Sequence, residues 1–212
     1  MKKIFEIVIL LCFGVSFLSI EKEINNAIYI DPGHGGIDGG CEGIDGTKEK
    51  DLNLQIAYRL RDILESFGFV VKLTRSGDYD LAINDSNRKR EDIEKRCSLI
   101  DGSLLYISIH INEYPDKSVR GAQVFYSTKN EKNKILANLI QERLCKELKN
   151  TNRTELEVNS KFLLNNISSV GCLVEVGFMS NCIELSLLKS EEYQEKICYS
   201  ITMGIVDYLN NN

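Results

Sequence analysis

Two histidines are all that the 212 residues contain, and neither belongs to an H-E-x-x-H helix, so the common zinc-peptidase signature is missing. Positive charge is also scarce: 26 Lys and Arg against 31 Asp and Glu leave a formal charge of -5. Binding to a phosphate backbone relies on a positive surface, so no nucleic acid is expected as a partner. The basic run Arg88-Lys89-Arg90 stands among acids and reads as a solvated helix face. No low-complexity tract, internal repeat or linker divides the chain, and 43% hydrophobic residues are enough for one buried core.

Long apolar runs are absent except at the start, where Lys2 and Lys3 precede a run from Ile7 to Leu18. That is the pattern of an export signal, and the run falls short of the roughly twenty residues a membrane-spanning helix needs. Phe17-Leu18-Ser19 makes a poor cleavage site, which leaves a retained N-terminal anchor open. Residues 1–25 are therefore expected to be a signal peptide or anchor and the sole membrane contact, with residues 26–212 forming the working domain. Six of the seven cysteines follow this leader, without a C-x-x-C pair. Cys97, Cys145 and Cys198 on predicted helices, and Cys172 opening a predicted strand, read as small hydrophobes and not as a disulfide framework.

What is present is alternation. Short β-branched or apolar runs (Ala27 to Ile30, Val70 to Thr74, Leu104 to Ile111, Ala122 to Tyr126, Cys172 to Val176, and a weaker one at Phe162 to Leu164) are separated by helical patterns. Leu52, Ile56, Leu60, Ile63, Leu64 and Phe67 recur at three- and four-residue steps and predict a helix that Gly68 ends. Further helices are predicted from about Ser86 to Ile100, Glu131 to Leu148 and Glu191 to Leu209, with residues 150–160 as a loop. The fold class is α/β: one domain, a mostly parallel twisted sheet of about five or six strands with helices on both faces.

Both histidines stand where a predicted strand ends. His34 follows Ile28-Tyr29-Ile30-Asp31-Pro32-Gly33, and His110 closes Leu104-Leu105-Tyr106-Ile107-Ser108-Ile109. Ligands of open α/β sheets gather outside the carboxyl ends of strands, so both imidazoles can serve one site as metal ligands. The loop Gly33-His34-Gly35-Gly36-Ile37-Asp38-Gly39-Gly40 matches neither G-x-G-x-x-G nor G-x-x-x-x-G-K-[ST], and a tight turn delivering His34 to a metal accounts for its glycines. Glu49, opening the next helix, is the candidate third ligand, with Asp45 and Asp51 as competitors. Glu175 sits inside the apolar Cys172-Leu173-Val174-Glu175-Val176-Gly177-Phe178, where an ionised acid is expensive unless paired, coordinated or used. It is either the catalytic acid/base or a core glutamate bound to a buried Arg or Lys. Asn112, on the same side of the strand as His110, is a candidate to fix a ligand or the substrate. Arg75, Arg90 and Arg96 are candidates for substrate carboxylates.

The set Asp31-Pro32-Gly33-His34-Gly35-Gly36, Glu49-Lys50-Asp51-Leu52-Asn53-Leu54, Ser108-Ile109-His110-Ile111-Asn112 and Glu175-Val176-Gly177-Phe178-Met179-Ser180-Asn181 resembles the zinc-dependent N-acetylmuramoyl-L-alanine amidases. The four motifs occur in the right order over most of the chain after the leader. The resemblance implies one zinc ion held by His34, Glu49 and His110, Glu175 as acid/base, and peptidoglycan as substrate, cut between the lactyl group of N-acetylmuramic acid and L-alanine. The short leader and the lack of wall-binding repeats are most similar to the spore-cortex, germination-specific members. That narrower likeness implies export, stem-peptide removal ahead of a cooperating deacetylase that helps form muramic-δ-lactam, and an activating lipoprotein. Two departures, Gly102-Ser103-Leu104 before the third strand and Val170-Gly171-Cys172 in place of a proline-containing segment, touch no proposed ligand. A silent wall-binding module and a zinc peptidase of the stem peptide are the alternative readings.

Overall fold

Five of the six short runs found in the sequence become strands, the central ones because their alternate residues have two apolar layers to enter. The computed structural model describes residues 26–84 and 86–211; the leader expectation lies outside the described residues. In chain order the elements are β1 (Ala27–Pro32), α1 (Glu49–Ser66), β2 (Val70–Leu73), α2 (Arg88–Ile100), β3 (Leu105–Asn112), β4 (Gln123–Tyr126), α3 (Asn133–Leu148), β5 (Leu156–Glu157), α4 (Phe162–Asn166), β6 (Gly171–Phe178), α5 (Cys182–Leu188) and α6 (Glu191–Asn211). The sheet order is β2-β1-β3-β6-β4-β5. β2, β1, β3 and β6 are mutually parallel, and β4, with β5 parallel to it, runs antiparallel to β6. The fold is thus the single-domain α/β arrangement expected from the alternation.

One face takes Ile28 and Ile30 of β1, Leu105, Ile107, Ile109 and Ile111 of β3, and Cys172, Val174 and Val176 of β6. They pack against Leu52, Ile56 and Leu60 of α1, Leu136, Ile140 and Leu144 of α3, and Ile197, Ile201 and Ile205 of α6. Each fully buried Leu or Ile here contributes about 1.5–3 kcal/mol. The intervening residues Tyr29, Tyr106 and Leu173 point the other way, onto Cys97 and Ile100 of α2 and Leu163 and Leu164 of α4. Continuing that second set toward the strand ends gives Asp31, Ser108, His110 and Glu175. Period two alone therefore sorts the polar residues of these strands onto one face and to one end of it. Pairing of β3 with β6 is regular up to His110 opposite Glu175, after which a bulge sets Asn112 opposite Phe178.

The structure corrects the local reading in four places. Phe162 to Leu164 is the start of helix α4 and not a strand: three apolar residues fit either period, and Leu163 and Leu164 are buried on the second face. The predicted loop over residues 150–160 contains the short edge strand β5. Helix α5 was not anticipated; Asn181 caps it by accepting the Glu184 N–H at 3.0 Å. Phe67 lies past the last turn of α1 and is 47% exposed instead of packed. The cysteines after the leader are free, with Cys97, Cys172 and Cys198 buried, Cys41 and Cys145 half-buried, and Cys182 exposed.

Candidate active site

After β1 the chain crosses to β2 on one side and then returns to lay β3 on the other. A crevice opens at such a reversal, outside the carboxyl ends of the two central strands. β1 ends at Pro32, and the Gly33 N–H donates to the Ile109 carbonyl at 2.9 Å, which fixes the His34 turn beside β3. A Cβ on Gly33 would collide with the ring of His110, so only glycine lets that imidazole lie against the backbone. His34 itself adopts φ 63°, a left-handed conformation that costs a non-glycine residue on the order of 1 kcal/mol or more and that directs its ring into the crevice. Gly40, at φ 68°, passes where a Cβ would meet the Glu49 carboxylate and the His34 ring.

Glu49 begins α1 without a side-chain cap; the loop supplies the helix start instead, through Glu49 N–H to Cys41 and Lys50 N–H to Gly39. Its carboxylate is consequently free to turn inward. Oε2 lies 3.2 Å from His34 Nε2 and accepts from the Cys41 N–H, while Oε1 lies 3.1 Å from His110 Nδ1 and accepts from the Ile111 N–H. One ligand atom from each of His34, Glu49 and His110 lies within 4.8 Å of the other two. The rings of His34 and His110 meet edge to face, with centroids 4.9 Å apart. Burial opposes ionisation of Glu49, but the two imidazoles outweigh it and hold the carboxyl well below its usual range. Burial likewise opposes a charged His34, yet Glu49 and Asp38 together raise its pKa. Asp38 Oδ2 lies 2.9 Å from His34 Nδ1, which leaves Nε2 facing Glu49.

Opposite His110 in register stands Glu175, 5% exposed. Its Oε1 is 3.5 Å from the half-exposed ammonium of Lys161, and its Oε2 is buried with no hydrogen-bond partner. The alternative of a core glutamate locked to a buried cation is not what the structure displays, because Lys161 stands at the open edge. Burial raises the Glu175 pKa, with His110 and Lys161 pulling the other way. A cleft of about 620 Å³ joins the group, lined by His34, Glu49, His110, Glu175, Lys161 and Phe162.

The remaining candidates separate. Asp45 is turned outward to Lys189 at 2.6 Å, and Asp51 is exposed on α1. Asn112 lines the cleft, with its side-chain oxygen accepting the Glu113 N–H at 2.8 Å. Arg90 is exposed and paired with Glu94. Arg75 and Arg96 are buried, at 1% and 2% exposure: Arg75 is committed to backbone carbonyls, and Arg96, on the wall of the cleft, is already held by Asp31, Asp92 and the carbonyls of Pro32 and His34. Within the basic run, Lys89 reaches Asp38 at 3.4 Å and Arg88 pairs with Asp80. Sequence reasoning missed Asp38, four residues after His34, and Lys161, for which the sequence offers no signal.

Residues 28–207 match the Amidase_3 family, described as N-acetylmuramoyl-L-alanine amidase. The chain belongs to this family. The amidase is 44% identical over 187 residues to the germination-specific N-acetylmuramoyl-L-alanine amidase of Bacillus subtilis, covering 85% of this chain and 78% of that protein. In structure it is similar to the CwlD amidase of Clostridioides difficile, solved in complex with the GerS lipoprotein, with a TM-score of 0.84, 37% identity, and 88% and 100% of the two chains covered. An N-acetylmuramoyl-L-alanine amidase from Clostridium difficile 630 follows at a TM-score of 0.79 and 28% identity, over 88% of this chain and 97% of that one. The amidase is therefore a hydrolase of an amide bond in peptidoglycan, in line with the motif resemblance.

Proposed function

We propose that this amidase is a zinc enzyme in which His34, Glu49 and His110 hold the ion and Glu175 is the acid/base. The donor set fits. Catalytic zinc takes three His or carboxylate ligands, and ligand atoms around a tetrahedral ion with bonds of about 2.0–2.2 Å lie roughly 3.3–3.6 Å apart. Here one donor atom from each of the three residues lies within 4.8 Å of the other two, with the two carboxylate oxygens of Glu49 divided between the histidines at 3.2 and 3.1 Å. Zinc bound there would supply Lewis acidity toward a water molecule and the scissile carbonyl.

The single observation that carries the reading is Glu175 Oε2, a buried acceptor with nothing to accept, on the strand beside His110. A water placed in the cleft gives its proton to this oxygen as its own oxygen bonds to the amide carbon. When the C–N bond then breaks, the same carboxyl returns the proton to the departing L-alanine nitrogen. Burial raises the Glu175 pKa, which favours the carboxyl's holding the proton between the two steps. Lys161 orients Oε1 and leaves Oε2 to the water. Asp38 fixes the tautomer of His34. In Glu175→Gln, release of stem peptides from purified peptidoglycan should fall about 10²–10⁴-fold with zinc content unchanged; release at the parent rate by zinc-loaded variant would remove Glu175 from this role.

The substrate is narrowed to spore-cortex peptidoglycan, upstream of a deacetylase that helps form muramic-δ-lactam. The germination-specific relative supports this placement. A lipoprotein partner is supported by the complex in which the similar amidase was solved. Residues 1–25 serve export, as cleaved signal or anchor. Among the described residues no helix is long and apolar enough to cross a membrane.

A further inference from the structure

Arg75 and Arg96 take no part in the chemistry above, yet both are almost completely buried. Their guanidinium groups converge on three consecutive carbonyls leading into the first metal-ligand candidate. Pro32 O accepts from Arg75 Nε at 3.0 Å and from Arg96 Nη1 at 2.8 Å; Gly33 O accepts from Arg75 Nη2 at 3.0 Å; His34 O accepts from Arg96 Nη2 at 2.7 Å. Arg75 Nη2 has a second acceptor, Lys50 O at 2.8 Å, in the residue after Glu49. One nitrogen thus ties the His34 turn to the start of the Glu49 helix. The charges are balanced on the spot: Asp31 accepts from Arg96 Nη1 at 2.8 Å, Thr74 at 2.6 Å and Ser108 at 2.8 Å, and Asp92 accepts from Arg96 Nε at 2.8 Å.

We propose that Arg75 and Arg96 are positioning residues that set the metal affinity of the site, by fixing the spacing of the His34 turn and the Glu49 helix before an ion arrives. This rests on reading His34, Glu49 and His110 as metal ligands. The physical argument is the strained turn. His34 holds φ 63°, and released carbonyls at residues 32–34 would let it relax away from Glu49. The planar fork of arginine satisfies two acceptors in fixed directions, whereas a lysine ammonium keeps the charge and loses the fork.

The test compares the parent amidase with Arg75→Lys and Arg96→Lys, using Zn2+ in competition with a chelator and Co2+ as a spectroscopic probe. Ile201→Val, in the distant core on α6, serves as the control for lost stability. The lysine variants should bind Zn2+ about 10–100-fold more weakly and alter the Co2+ absorption bands, while Ile201→Val changes neither. Zinc affinity within twofold of the parent and an unchanged Co2+ spectrum in folded Arg75→Lys would overturn the proposal. If neither lysine variant folds, Asp92→Asn, which weakens the hold on Arg96 from the outer side, should still lose threefold or more, and no loss there overturns it too. A parent protein that binds neither ion, alone or with its lipoprotein partner, refutes the metal reading itself, an outcome distinct from a parent that binds and variants that match it.

Discussion

The two faces of the sheet are built from the same strands on opposite terms. On one face β1, β3 and β6 present only aliphatic residues and a cysteine to α1, α3 and α6. On the other, the apolar layer is limited to the amino-terminal halves of the strands, and Asp31, Ser108, His110 and Glu175 take over toward their carboxyl ends. Ile109 and His110 are neighbours in sequence, but the first is a packing residue and the second faces a cleft. The difference shows that stability and chemistry in this fold are separated by a single step along a strand, so adjacent substitutions should have unlike effects.

The sharpest contrast is between those two residues. His110→Ala should reduce amide hydrolysis by ~10³-fold or more and abolish tight zinc binding, because metal assistance is worth several kcal/mol and each 1.36 kcal/mol is tenfold. Ile109→Ala should instead cost about 2–5 kcal/mol in denaturant unfolding while zinc stoichiometry stays at the parent value. Equal loss of metal in both would erase the distinction between the faces. An intermediate case is Gly33→Ala, where the added methyl meets the His110 ring. Overpacking of that kind costs about 1–3 kcal/mol, and chelator competition should register weakened zinc binding along with it; an unaltered affinity would mean that the ring has room to move.

The smallest effect is a slope with pH. Burial alone would raise the pKa of Asp31, but Arg96, Thr74 and Ser108 bring it below the ordinary 3.8. A carboxyl whose pKa is lower in the folded state contributes its full stabilisation above its unfolded value and loses it as pH falls through the folded one. The stability difference between the parent and Asp31→Asn, from urea unfolding, should therefore be flat above about pH 5 and shrink below roughly pH 4. A difference that stays constant on acidification would show that the charge of Asp31 is not what holds Arg96 in place.

The sequence carried the outline of the site because its principal groups sit at strand ends or at a helix start. Chain order and parallel topology then bring His34, Glu49, His110 and Glu175 to one crevice without any knowledge of side-chain contacts. The buried arginines were beyond reach for the opposite reason: Arg96 is partnered by Asp31, 65 residues away, and nothing in the local pattern of a charged helix distinguishes its inward position. Length explains two further differences. Two residues of β5 are too few to show alternation, and Phe162-Leu163-Leu164 is apolar in a way that suits a buried strand as well as the short helix it forms.

The bulge in β6 constrains chain length more than it does composition. From His110 to Asn112 the third strand advances two residues, while its partner advances three, from Glu175 to Phe178. Deleting a residue between Glu175 and Phe178 would restore even pairing and turn the following segment by half a period. That would swing away Glu184, whose carboxylate accepts the N–H groups of Gly121 and Phe178 and so secures the approach to β4. Substitutions at Val176 that preserve its bulk are expected to be tolerated far better than any change in the count of residues there.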